Sequence, residues 1–130
     1  MRRPVLIALA VAFLAGCGGE QTVSPTGPVE GTLPKQEAGN PAAGKQVFDA
    51  NGCGGCHTFK PAGSNGKIGP DLDEALKGKD ATFIRESIVD PNAEIAKGYQ
   101  PNVMPQTYGQ QLTSKQIADL VAFLQQGAGG

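Results

Sequence analysis

The chain has 130 residues, room for one domain, with 11 basic and 12 acidic side chains. It has no basic patch or charge run, which speaks against a nucleic-acid partner. Aromatic residues make up only 5% of the chain, tryptophan is absent, and glycine (19) and proline (10) are plentiful; side chains alone would build a thin core, so disulfides, a metal or a large cofactor is expected to help it fold.

The first 17 residues stand apart from that core. Arg2 and Arg3 give a basic start, and Val5 to Ala15 is an unbroken apolar run. That run is too short to span a bilayer and suits the apolar region of an export signal. Leu14-Ala15-Gly16-Cys17 follows it directly. This looks like a bacterial lipobox, in which the cysteine takes diacylglycerol through a thioether and becomes the new N-terminus. The alternative is an ordinary small-residue cleavage site with a cysteine nearby. Either way the domain is expected to be exported, and with the lipid it would be membrane-anchored on the periplasmic or extracytoplasmic side. Losing Arg2 and Arg3 takes the basic count from 11 to nine against 12 acidic residues, a net charge of −3.

Residues 18–41 are rich in Gly, Pro, Thr, Glu and Gln and show no apolar period. They read as a flexible tether with an r.m.s. span of roughly 25–30 Å. The folded domain is expected over residues 42–130, without internal repeats.

Val47 and Phe48 lie on a short helical stretch, AAGKQVFDANG. Next comes NGCGGCHTFK, residues 51–60, with two cysteines and a histidine inside five positions. A redox dithiol would sit at a strand–helix junction, and nothing upstream reads as a strand. Zinc needs four ligands, and with His57 the only histidine the count stops at three unless a carboxylate completes it. The third possibility is C-x-x-C-H, the attachment signature of c-type haem. It accounts for the spacing: Cys53 and Cys56, three apart on a turn, can each take one vinyl group as a thioether, and His57 then points its imidazole at the iron. Gly54 and Gly55 add no bulk against the porphyrin edge. A bound macrocycle would also supply the missing core.

Asp80 reads as the cap of a helix over residues 81–89 that stops at Asp90, ahead of Pro91. Beyond it lies Pro101-Asn102-Val103-Met104-Pro105-Gln106. Met1 leaves with the signal, so Met104 is the methionine available for the sixth iron position. It sits between prolines in a loop, not on an apolar helical face, which favours a ligand over a packing role. Tyr99 and Tyr108 either hydrogen-bond haem propionates or cover the haem edge. Thr113-Ser114-Lys115-Gln116 reads as a capping box. Ile117, Leu120, Val121 and Leu124 form one apolar face on the last helix, which Gly127 is expected to close.

On these motifs residues 42–130 resemble a class I monohaem cytochrome c, an all-α fold of three to five helices around one covalently bound haem. Gly44 and Phe48 match that family's small-then-aromatic pattern on the first helix, and Leu120 and Phe123 its crossing residues on the last. Ile68-Gly69-Pro70-Asp71-Leu72 matches the loop whose proline carbonyl accepts a hydrogen bond from the axial histidine, although Asn is common where this chain has Asp71. Met104 matches the distal ligand. The run SIVDPNAEIAKGYQPNVMPQTYGQQL is similar to haem domains fused to subunit II of haem–copper oxidases, without their dinuclear-copper ligands. The resemblance implies haem c with His57 and Met104 as axial ligands. It also implies a non-enzymatic electron carrier of the respiratory chain, working between a quinol-oxidising complex and a haem–copper oxidase. The alternative, a haem-based ligand sensor or weak peroxidase, applies if Met104 does not bind iron.

Overall fold

A computed structural model of the chain describes residues 38–129. The expected export signal, Cys17 and most of the expected tether lie outside the described residues. Among those residues the fold is all-α: α1 (Pro41–Ala50), α2 (Cys53–Cys56), α3 (Leu72–Ala75), α4 (Ala81–Val89), α5 (Tyr108–Gln111) and α6 (Ser114–Ala128). α2, α3 and α5 are single turns.

Each longer helix begins where its capping chemistry dictates. Asn40 and Pro41, assigned to the tether by composition, cap and open α1: the Asn40 side chain accepts from Ala42 N and Ala43 N, and Pro41 needs no N–H partner in the first turn. The Asp80 carboxylate accepts from Phe83 N (2.8 Å) and α4 ends at Asp90, as the sequence indicates. Thr113 and Gln116 form the full capping box of α6.

α1 packs across α6, and α4 packs against α6 beside it. Phe48, Phe59 and Phe123 meet at the centre with ring centroids 5.4–5.9 Å apart, two of the three pairs edge-to-face. Phe48, Phe59 and Ile84 are the largest fully buried side chains; each such side chain contributes about 1.5–3 kcal/mol of burial. Gly44 makes the helix crossing possible. A Cβ there would stand 2.0 Å from the Asp119 carbonyl oxygen and 2.7 Å from Phe123 Cβ. Asp119 is buried beside this crossing, where its carboxylate accepts from Asn40 N (2.6 Å) and pairs with Lys115. The Lys115 ammonium and then the Asn40 N–H hold its carboxyl below the usual carboxylate range.

Two features differ from the sequence reading. Gly127 does not close α6, which runs on to Ala128. Its role is close packing: a Cβ there would fall 2.2 Å from Phe59 Cζ and 2.7 Å from Pro61 Cγ. A two-residue antiparallel hairpin, β1 (Thr58–Phe59) with β2 (Ser64–Asn65), also interrupts the helical order just after His57. Thr58 lies opposite Asn65, and the pair is joined through Gly63 in the left-handed region (φ 69°).

Candidate functional site

The attachment motif is built by two changes of backbone direction. α1 ends at Asn51, whose side chain donates to the Val47 carbonyl (2.7 Å), and Gly52 follows in the left-handed conformation (φ 68°) that terminates a helix. The chain then makes the single turn α2, which carries Cys53 and Cys56 three residues apart and so on one face. At His57 the backbone becomes extended (φ −110°, ψ 139°), turning the imidazole off the helix.

The imidazole is held by the loop after the hairpin. His57 Nδ1 lies 2.8 Å from the Pro70 carbonyl oxygen. A carbonyl only accepts, so Nδ1 is the nitrogen that donates, and Nε2 is the one left for a metal. The loop is itself fixed to the attachment turn, because Gly69 N donates to the Cys56 carbonyl (2.8 Å). Gly69 lies flat against the ring: a Cβ there would stand 2.5 Å from His57 Cε1. Asp71, where the resemblance leads one to expect Asn, uses its carboxylate to cap α3 by accepting from Asp73 N (2.9 Å).

Cys53, Cys56, His57, Pro70, Tyr99, Met104 and Tyr108 all line one cavity of about 350 Å³. α1, α4 and α6 supply apolar wall residues, among them Phe48, Ile84 and Leu120. Tyr108 is half-buried, with its hydroxyl 3.5 Å from the Asn51 carbonyl oxygen, and burial pushes its phenol up. Tyr99 is more open, at the rim. Lys79, one of the lysines the sequence offers for the cavity edge, and Glu94 also reach the cavity. They lie 3.9 Å apart, and the Lys79 ammonium stacks 4.0 Å from the Phe83 ring centroid. Cys17 lies outside the described residues.

The site discriminates among the chemistries that the motif leaves open. α2 follows a helix, not the strand of a βαβ dithiol fold, and burial pushes the Cys53 thiol up, away from the thiolate that a nucleophile needs. Among the described residues no group of three or more His, Cys, Asp or Glu side chains could hold a metal ion. Haem fits what is there. Ile68, Ile95, Tyr99 and Val103 are the exposed large hydrophobic side chains among the described residues, and all four line this cavity. Apolar surface gathered around one cavity marks the seat of an apolar group.

Residues 41–128 match the family model for cytochrome c. The chain belongs to the cytochrome c family. Among curated proteins none matches it. As a cytochrome c it carries haem bound covalently, and its function is electron transfer. The match starts at the first residue of α1 and stops at the last residue of α6, so it covers every helix described above.

Proposed function

We propose that this cytochrome c is a membrane-anchored one-electron carrier with one haem c held by Cys53 and Cys56. His57 Nε2 and Met104 Sδ would bind its iron, and Tyr99 and Tyr108 would border it. Haem supplies a reversible one-electron change at iron; the chain supplies orientation, exclusion of water and choice of ligand. One observation carries the reading. Both cysteines, the only histidine and Met104 line the same apolar cavity, and the Pro70 carbonyl occupies His57 Nδ1 so that Nε2 stays free. The Pro70 bond also fixes the plane of the ring and raises its basicity as a ligand. His/Met ligation raises the potential and leaves no open position for peroxide or a gas, which suits shuttling between partners.

The lipid on Cys17 and the tether would keep the domain near its partners, a quinol-oxidising complex as donor and a haem–copper oxidase as acceptor. Among the described residues no helix is long and apolar enough to cross a membrane. The test is the visible and near-infrared spectrum of the oxidised protein, with Met104→Ala as comparison. The wild type should show a methionine–iron charge-transfer band. The variant should lose that band, keep its haem through acidified-solvent extraction, fall in potential and bind carbon monoxide when reduced. An unchanged spectrum in the variant would place the ligand elsewhere and return the protein to the sensor or weak-peroxidase reading.

A further inference from the structure

The segment between α4 and α5 carries Met104 yet has little regular structure of its own. Its backbone hydrogen bonds are local, Ala93 N to the Asp90 carbonyl and Tyr99 N to the Ala96 carbonyl, each spanning three residues. Downstream of Met104 the tie is local as well, from Gln106 Nε2 to the Met104 carbonyl (2.7 Å). Among the described residues, hydrogen bonds from this segment to a distant position come from one pair. Asn92 Nδ2 donates to Asn102 Oδ1 (2.8 Å), and Asn102 N donates to Asn92 Oδ1 (3.0 Å).

One amide side chain is thus used at both ends, as donor and as acceptor, on a single residue ten positions away. Asn102 is unusual in its own right. It is the one non-glycine residue with positive φ (62°) among the described residues. Asparagine tolerates that region better than most side chains, and Pro101 precedes it. Asn92 stands one residue after Pro91, close behind the end of α4, whose Ile84 and Ile88 are buried in the core.

We propose that Asn92 and Asn102 form a clamp whose task is to hold Met104 at the haem cavity. The clamp closes residues 92–102 into a loop and delivers the chain two residues before Met104 at a fixed place and direction. Without it the chain leading to Met104 would be held only by its local turns and by the long Lys79–Glu94 ion pair. The pair is a positioning device, and it rests on the reading of Met104 as the iron ligand.

Asn92→Ala removes both bonds, while Asn102→Gly keeps the left-handed backbone and the bond from its N–H and loses only the side-chain bond. An exposed bond is worth about threefold in an equilibrium, so two give roughly tenfold and one about threefold. In the oxidised holoprotein, Asn92→Ala should weaken the methionine–iron charge-transfer band. When reduced, it should bind carbon monoxide about tenfold more readily, with Asn102→Gly in between. Amide hydrogen exchange at Asn102 should speed up in Asn92→Ala, which reports the clamp independently of the iron. A merely structural pair would lower thermal stability and leave band and carbon monoxide uptake untouched, and that result would overturn the proposal. Met104→Ala separates the two failures. If that variant loses the band while folded Asn92→Ala and Asn102→Gly keep it, the clamp is wrong. If Met104→Ala itself keeps the band, the ligand reading fails and the clamp goes with it.

Discussion

Gly69→Ala tests the arrangement around His57 most directly. The added methyl would stand 2.5 Å from Cε1, 2.9 Å from Nδ1 and 3.0 Å from Nε2 of the imidazole. Carbon atoms sit best at about 3.5–4.0 Å, so either the ring or the loop must retreat by roughly 1 Å. The loop is tied by Gly69 N to the Cys56 carbonyl, which makes the ring the partner that yields. Moving away from Gly69 carries Nδ1 away from the adjoining Pro70 carbonyl, from 2.8 Å to beyond hydrogen-bonding range. Overpacking of this kind costs about 1–3 kcal/mol, and the narrower unfolded ensemble of alanine returns about 0.4–1 kcal/mol. The net loss of stability should be roughly 1–2 kcal/mol. The redox effect has a definite sign. Donation from Nδ1 makes the imidazole a stronger electron donor and favours ferric iron, so losing the bond raises the potential. A net bond of about 1 kcal/mol, at 59 mV per tenfold for one electron, sets a ceiling near 40 mV. Spectroelectrochemical titration of the holoprotein, paired with denaturant unfolding, reads both quantities. A potential that falls, or an unchanged potential with an unchanged unfolding midpoint, would refute the argument.

Asp119 ties the start of α1 to α6 and has a depressed folded-state pKa, so its stabilisation is present above the unfolded carboxylate value of about 3.9 and is lost as pH falls through the folded value. The stability gap between wild type and Asp119→Asn should therefore narrow on acidification below about pH 4; a gap independent of pH removes the Lys115 ion pair as its source. Cys17→Ser should stop lipidation and release the protein from membranes, because two acyl chains anchor stably at about 0.8 kcal/mol per buried methylene; fractionation as complete as for wild type counts against the lipobox. Electron transfer between the domain freed of its proposed tether and the proposed oxidase partner should vary weakly with salt. No charged residue lies between Asp49 and Lys60 or between Lys97 and Lys115, and Lys79 at the cavity is paired with Glu94; a rate that drops more than about tenfold from low to physiological salt would show that charge steering dominates.

The helices were legible where local chemistry decides them. Asp80, Thr113 and Gln116 announce α4 and α6, because a cap needs one particular side chain at one position. The attachment motif was legible because two thioethers and an axial nitrogen impose a fixed spacing. The contact of His57 with Pro70 came from the family resemblance, since no periodicity relates residues 13 positions apart. Gly127 misled because a glycine near a helix end reads as a stop, whereas here the ring of Phe59, far away in sequence, claims the space of its side chain. Asn40 and Pro41 were a readable cap and first turn, hidden by the composition of the segment before them. The hairpin strands of two residues are too short to show alternation. The Asn92–Asn102 pair left no trace either, because both are ordinary turn residues until the fold brings them together.

The placement of Tyr99 and Tyr108 has an optical consequence. The chain has no tryptophan and only two tyrosines, and both line the haem cavity. Its tyrosine emission therefore originates entirely at the wall of one site. A porphyrin lying against that wall absorbs where tyrosine emits and drains the excited state by energy transfer. The folded holoprotein should be nearly dark, and light should return only as the two rings leave the cofactor. Tyr108 is carried on α5 and Tyr99 on the loop before Met104, so replacing either with phenylalanine makes the other a reporter for one side of the cavity. The protein thus carries its own label for watching that loop open, with no dye to attach.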